Sequence, residues 1–170
     1  EPVTLGRLAG LADAVLHLAP PPAQGGHDSR TRSLLAALAR SSRVRRVVYA
    51  STTGVYGDCG GAWIDETRPL RPSTDRARRR VDAEARLRWY GRASGTRVTI
   101  LRVPGIYAFD REGGDPRDRV RRRVPALVPE HDVYTNHVHA DDLARACIAA
   151  LVRGPTLRAI HVNDDGELAA

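Results

Sequence analysis

The chain has 170 residues, 42% of them apolar and 28% charged, which suits one ordinary domain core and matches soluble globular sequence. No run approaches the roughly 18 apolar residues of a membrane span, and no basic-then-apolar leader opens the chain, so the expectation is a cytoplasmic protein without a membrane partner. The net charge of +7 comes entirely from arginine, but the arginines are scattered with few aromatics between them, which argues against a nucleic-acid partner.

In chain order, residues 14–18 read as a short buried strand and residues 31–40 as a helix with Leu34, Leu35 and Leu38 on one side. A second strand follows at 44–50. Residues 75–92 form an arginine-rich helical pattern whose apolar stripe is expected at Ala77, Val81, Ala85 and Trp89. A third strand covers 98–103. The segment 111–129, with Gly113-Gly114, several arginines and three prolines, reads as a mobile excursion on the substrate side. Residues 141–153 repeat Leu143, Cys147, Ala150 and Leu151 before Gly154-Pro155 ends the helix, and a fourth strand spans 159–162.

Near-continuous apolarity in the strands predicts burial on both faces, as in a parallel sheet. Alternation with helices then calls for right-handed βαβ crossovers, giving an α/β fold with a Rossmann-like, doubly wound sheet. The two cysteines, Cys59 and Cys147, lack metal-ligand spacing and read as a loop thiol and a small core residue, so no metal is expected.

Ligands of such sheets bind beyond the carboxyl ends of the strands. In the stretch VVYASTTGVYGD, residues 47–58, Ser51, Thr52 and Thr53 follow the second strand, while Pro104-Gly105 follow the third. A hydroxyl there can both donate and accept, which suits interconversion of a carbonyl and an alcohol, and Pro-Gly removes a donor and a side chain where a flat ring must approach. The competing reading of Ser-Thr-Thr is a turn held by local backbone hydrogen bonds.

HLAPP at 17–21, VVYASTTGVYGD, the Asp-Glu-Thr-Arg-Pro stretch, the arginine helix, LRVPGIY and NHVHADDLARA stand in an order that resembles the extended short-chain dehydrogenase/reductase family, the NAD(P)-dependent epimerase/dehydratase group. The likeness covers residues 12–162. It implies a partial Rossmann-like domain with a small C-terminal substrate-side portion, NAD or NADP as cofactor, and a small-molecule substrate such as a nucleotide sugar or another carbonyl or alcohol compound. It further implies an oxidoreductase or an epimerase/dehydratase, and a homodimer. Leu18, Ala19, Pro20, Ser51, Arg80, Pro104, Gly105 and Ile106 would line the dinucleotide, and Thr52 would bond a substrate hydroxyl or carbonyl.

Two departures qualify what the resemblance implies. The family's glycine-rich phosphate turn is missing, since no GxxGxxG occurs and Gly25-Gly26 lie after the first recognisable strand. The chain therefore reads as a single domain beginning midway through its Rossmann half and incomplete at both ends. The family also places a Tyr and, four residues on, a Lys ahead of a Glu; with Glu84 as anchor, Arg76 and Arg80 occupy those catalytic positions. A guanidinium keeps its proton and is a poor base, so Arg76 cannot replace the phenol, whereas Arg80 can still offer a fixed cation to ribose hydroxyls. The alternatives are a non-catalytic NAD(P)-binding sensor or scaffold, and, for Arg76, Arg78, Arg79 and Arg80, a solvated helix face with Arg80 and Glu84 as an i,i+4 pair. His137 and His139, either side of Val138, suit a substitute proton shuttle better than a metal. Asp141 and Asp142 suit the first turn of the helix that follows.

Overall fold

The computed structural model describes residues 5, 10–40, 43–110, 114–125, 128, 134–165 and 168–169. Strand β1 (Ala14–His17), helix α1 (Ser29–Leu38), β2 (Arg46–Thr52), a 3-10 turn (Thr53–Tyr56), α2 (Asp75–Ser94) and β3 (Arg97–Val103) come first. Then follow β4 (Gly105–Tyr107), α3 (Pro116–Arg121), β5 (Tyr134–Thr135), β6 (His137–His139), α4 (Ala140–Arg153), β7 (Arg158–His161) and β8 (Leu168–Ala169).

Four strands form one parallel sheet in the order β1-β2-β3-β7. Ala14 lies opposite Arg46, Arg46 opposite Arg97 and Thr99 opposite Arg158, so every carboxyl end opens to the same side. This is the parallel α/β arrangement expected from alternating strand and helix patterns. Two small pairs flank it: parallel β4 and β6, with Gly105 opposite His137, and antiparallel β5 and β8.

The two central strands, β2 and β3, bury side chains on both faces, being mostly β-branched and apolar, whereas β1 and β7 at the edges are only partly covered, so the strand at 14–18 is not the buried one expected. Val47, Tyr49, Val98 and Ile100 join Leu34, Leu35 and Leu38 of α1 and Ala83, Leu87 and Tyr90 of α2 in one core. Val48, Leu101 and Val103 join Cys147 and Ala150 of α4 in the other. Each fully buried Leu, Ile or Val contributes about 1.5–3 kcal/mol over exposure. Asp28 caps α1 by accepting from the Arg30 and Thr31 N–H groups, and Thr74 caps α2 by accepting from Ala77. Gly95 ends α2 in the left-handed region at φ 70°.

The expected apolar stripe of α2 is corrected. Ala77 is buried, but Ala85 and Trp89 are exposed and Val81 only half-buried; the inward face carries Ala77, Arg80, Ala83, Glu84, Leu87, Tyr90 and Gly91. Counting apolar residues alone misplaced the stripe by about a third of a turn, because this helix buries charged groups that find partners inside. Arg79 and Arg80 are therefore not part of a solvated face, although Arg76 and Arg78 are exposed. Glu84 pairs with Arg88 and Arg102 in place of Arg80. Within the expected excursion, residues 116–121 form α3 on an Asp115 cap, while 111–113, 126–127 and 129 lie outside the described residues.

Gly91 is where α2 meets β3 most closely. A Cβ there would approach Leu157 Cδ2 to 2.8 Å, Val98 Cγ2 to 2.9 Å and the Thr96 carbonyl oxygen to 3.0 Å. Gly91→Ala is expected to lower the free energy of unfolding by about 1–3 kcal/mol, measured by urea denaturation, despite alanine's better helix propensity. A stabilised variant would contradict this packing.

Candidate active site

Ser51 and Thr52 end β2 as the sequence suggests, and their hydroxyls part company. Ser51 Oγ turns inward and donates to Glu84 Oε1 at 2.6 Å, with Ser51 4% exposed. Thr52 Oγ1 accepts from the Gly54 N–H at 3.2 Å and so starts the 3-10 turn. Its own proton has no acceptor among the described residues, and the residue is half-buried at the strand mouth. The local-turn reading and the site reading of Thr52 are thus compatible.

Glu84, fully buried, gathers the groups beneath that mouth. Arg102 grips it with two bonds, Nε to Oε1 at 3.2 Å and an NH2 nitrogen to Oε2 at 2.9 Å, and Arg88 adds a third cationic contact at 3.1 Å. Burial works against the charge on Arg102, but the bond and charge of Glu84 outweigh it and raise its pKa. Arg102 also donates to Tyr56 Oη and, at 3.2 Å, to the Glu66 carbonyl. Because Arg102 donates into the phenol oxygen, the Tyr56 hydroxyl proton is free to go to His161 Nε2, 2.7 Å away. Burial raises the Tyr56 pKa, with Arg102 opposing it, and burial lowers that of His161. Both groups are neutral near pH 7.

Arg80 lies beneath β2 as well, 6% exposed, donating to Tyr49 Oη at 2.9 Å and to the Ala50 carbonyl at 2.6 Å. Its Nε is buried without a partner, as is that of Arg79, whose terminal nitrogen holds the Gly25 carbonyl at 2.8 Å. Burial drives the Tyr49 pKa up to about 12 despite Arg80. Arg76 stands exposed in the first turn of α2, with no hydrogen bond or ion pair to a described residue. Leu18 and Ala19 are exposed beyond β1; Pro20, also exposed, gives its carbonyl to Arg30 at 2.9 Å.

At the end of β3, Pro104 and Ile106 are half-buried, and Gly105 is glycine because a Cβ would sit 2.8 Å from His137 Cδ2. The close neighbour that excludes a side chain is a histidine of this chain. His139 Nδ1 accepts from the Asp141 N–H at 3.3 Å and caps α4, with Asp141 and Asp142 in its first turn. No group of three metal-binding side chains occurs among the described residues. A concavity of about 420 Å³ lies between α4 and β7, lined by Leu101, Ala146, Ala150, Ile160 and Asn163, and another of about 240 Å³ faces Gly25, Gly26 and Arg32. Neither is lined by Thr52, Arg76 or Gly105.

The sequence reading missed Tyr56, Glu66, Arg102 and His161. A signal was present: Arg102 sits between Leu101 and Val103 inside a strand otherwise apolar enough for the interior, and such a charge requires a buried partner.

The model of the NAD dependent epimerase/dehydratase family matches residues 11–163, and the chain belongs to that family. Protein YeeZ of Escherichia coli K12 is 32% identical over 117 residues, which is 69% of this chain and 39% of that protein. RMD from Pseudomonas aeruginosa, solved with NADPH, is 25% identical at a TM-score of 0.78, over 99% of this chain and 66% of the other. A functionally unknown conserved protein from Silicibacter pomeroyi is 30% identical at a TM-score of 0.73, over 95% of this chain and 54% of that one. DesIV, a dTDP-glucose 4,6-dehydratase from Streptomyces venezuelae, shares the fold at a TM-score of 0.80 and 24% identity, over 99% of this chain and 57% of its own. The chain spans about two fifths of the curated relative and between half and two thirds of these solved structures. No helix among the described residues is long and apolar enough to cross a membrane.

Burial lowers the pKa of both His17 and His161, so below pH 6.5 the unfolded chain takes up protons that the folded chain refuses. Stability is therefore expected to fall as pH drops through 6.5 toward the lower folded values. The urea midpoint at pH 5.5 should lie below that at pH 7.5, and replacing both histidines with Gln should shrink the gap. Equal midpoints would contradict the neutral, buried state of the two rings.

Proposed function

We propose that this chain supplies the substrate-facing strand ends of an NAD(P)-dependent oxidoreductase of the epimerase/dehydratase type, with a nucleotide sugar or another carbonyl or alcohol compound as substrate. The observation that carries this is Thr52: a half-buried hydroxyl at the mouth of the sheet, held by the Gly54 N–H, with its own proton uncommitted. That proton can be donated to a substrate oxygen. Ser51 supports it from below, its hydroxyl fixed on Glu84.

The residues present fit the nicotinamide and ribose end of a dinucleotide. Pro104 offers no N–H to a ring lying over it, Leu18, Ala19, Pro20, Gly105 and Ile106 would line the rim, and Arg80, buried on Tyr49 and the Ala50 carbonyl, would act by bracing the strand end. For the phosphates the fit is poor among the described residues, because α1 closes its N-terminus on the Asp28 carboxylate. When bound, a nicotinamide dinucleotide supplies hydride transfer; this chain supplies orientation and a hydrogen bond to the substrate. A homodimer acting on small molecules belongs to the same reading.

A second reading, a non-catalytic NAD(P)-binding sensor, is favoured by the state of the acid/base groups. Position 76 carries a guanidinium, a poor base, Tyr49 is pushed up to about 12, and Tyr56 is shared between Arg102 and His161.

Titration of nicotinamide fluorescence with NADH and NADPH tests cofactor binding, and no binding of either would count against the oxidoreductase reading. In steady-state assays over nucleotide sugars and simple carbonyls, Thr52→Val is expected to lower turnover by roughly tenfold to a hundredfold, the worth of one hydrogen bond to a reacting oxygen. Arg76→Tyr is expected to raise turnover, or to create it if the natural chain is a sensor. Thr52→Val with unchanged turnover would remove the enzymatic reading's main support.

A further inference from the structure

Side chains alternate between the two faces of a strand, so residues an even number of places apart share a face. Val48, Leu101 and Ile160 lie on the α4 face of the sheet, in one cluster with Cys147 and Ala150. Counting back along β2, β3 and β7 by even steps from these residues reaches Arg46, Arg97 and Arg158, each the first residue of its strand. All three arginines therefore stand on the α4 face at the amino ends of adjacent strands. The register sets Arg46 directly opposite Arg97, and Arg158 opposite Thr99, the next residue of β3 on that face. Neighbouring strands run about 4.8 Å apart, which makes the three a row.

A fourth arginine reaches the row from α4. Arg153 ends that helix, and the turn after it is pinned to β3: Thr99 Oγ1 donates to the Pro155 carbonyl at 2.8 Å, and a Cβ on Gly154 would lie 2.5 Å from Thr99 Oγ1. Arg97, Arg153 and Arg158 are exposed and Arg46 is half-buried. None of the four side chains has a hydrogen bond or ion pair to a described residue. Asp13, just ahead of β1, is bonded instead to Arg43 at 3.0 Å. The C-terminal end of α4 favours a cation and so accounts for Arg153. It does not account for Arg46 facing Arg97, because like charges directly opposite in a sheet cost stability.

We propose that this arginine row is a docking surface for the phosphate backbone of a DNA duplex. The planar fork of arginine bonds phosphate oxygens in pairs. Arg46, Arg97 and Arg158 line neither of the two concavities, so the row is a surface suited to a polymer of repeated charge rather than a pocket for a small anion. The net charge of +7 favours a polyanion. Val48, Thr99, Leu101 and Ile160, the neighbours on this face, include no aromatic ring on which an unpaired base could stack, which selects a duplex over a single strand. The expectation of no nucleic-acid partner rested on arginines scattered along the sequence, and it is the strand order that collects these four. Arg46 opens β2 and Thr52 ends it, about 20 Å away at 3.3 Å per residue, so the surface is independent of the site proposed at Thr52.

The test is the anisotropy of a fluorescein-labelled DNA duplex of mixed sequence, titrated with the chain over a series of salt concentrations. Four phosphate contacts give a plot of log Kobs against log salt a slope of about −3.6, roughly 0.9 for each contact. Arg97→Gln is expected to reduce that slope by about one. The fourfold variant Arg46→Gln/Arg97→Gln/Arg153→Gln/Arg158→Gln is expected to lose the salt-dependent binding, whereas Arg119→Gln/Arg122→Gln/Arg123→Gln/Arg145→Gln, which removes the same charge elsewhere, is expected to keep the slope. Arg97→Gln should not lower the urea midpoint, since it relieves the like charge on Arg46. An equal loss in the second fourfold variant, tighter binding to the single strand, or no binding to the duplex at low salt would overturn the assignment. So would competition by polyglutamate or by phosphatidylserine vesicles as effective, charge for charge, as that by unlabelled duplex.

Discussion

A fully buried carboxylate, Glu84, sets the terms for the ligand-facing side of this molecule. Removing a carboxylate from water costs several kcal/mol unless cations and donors replace the lost hydration. Here the replacements come from three elements: Arg102 of β3, Arg88 one turn along α2, and the Ser51 hydroxyl of β2. Meeting the needs of one anion therefore fixes α2 against the ends of two adjacent strands. Arg102 extends the constraint through Tyr56 to His161 of β7 and through the Glu66 carbonyl to the loop over the strand ends. Thr52 inherits its position from this arrangement, being the next residue after Ser51.

The parallel sheet and its strands were legible in the sequence because such strands are written as short, nearly uninterrupted apolar runs. The strands at 14–18, 44–50, 98–103 and 159–162 match β1, β2, β3 and β7 within one or two residues. The face of α2 was not legible by the same rule. Its inward residues include Arg80 and Glu84, which periodicity counts as solvent-facing, while Trp89 was assigned inward and is exposed. For the site, Thr52 was visible as a small hydroxyl after a strand. The Tyr56, Arg102 and His161 chain was not, since its members lie 46 and 105 residues apart and meet only through the sheet order.

The two arginines at the family's Tyr and Lys positions have different fates. Arg80 is absorbed into the fold, one terminal guanidinium nitrogen bonding both Tyr49 Oη and the Ala50 carbonyl, so that it braces the strand end from which Ser51 and Thr52 project. Arg76 is exposed in the first turn of α2, with no side-chain partner among the described residues. A tyrosine at position 76 would offer a titratable proton that arginine does not.

The central claim is that Glu84 and Arg102 act as one buried unit which holds α2 to the strand ends. A double-mutant cycle on the free energy of urea unfolding tests it most directly, using Glu84→Gln, Arg102→Met and the pair together. Each single change should cost about 3–5 kcal/mol by stranding its partner's charge, and the double variant should lose clearly less than the sum of the two. Strictly additive losses would contradict the account, because they would mean that the two residues stabilise the fold independently.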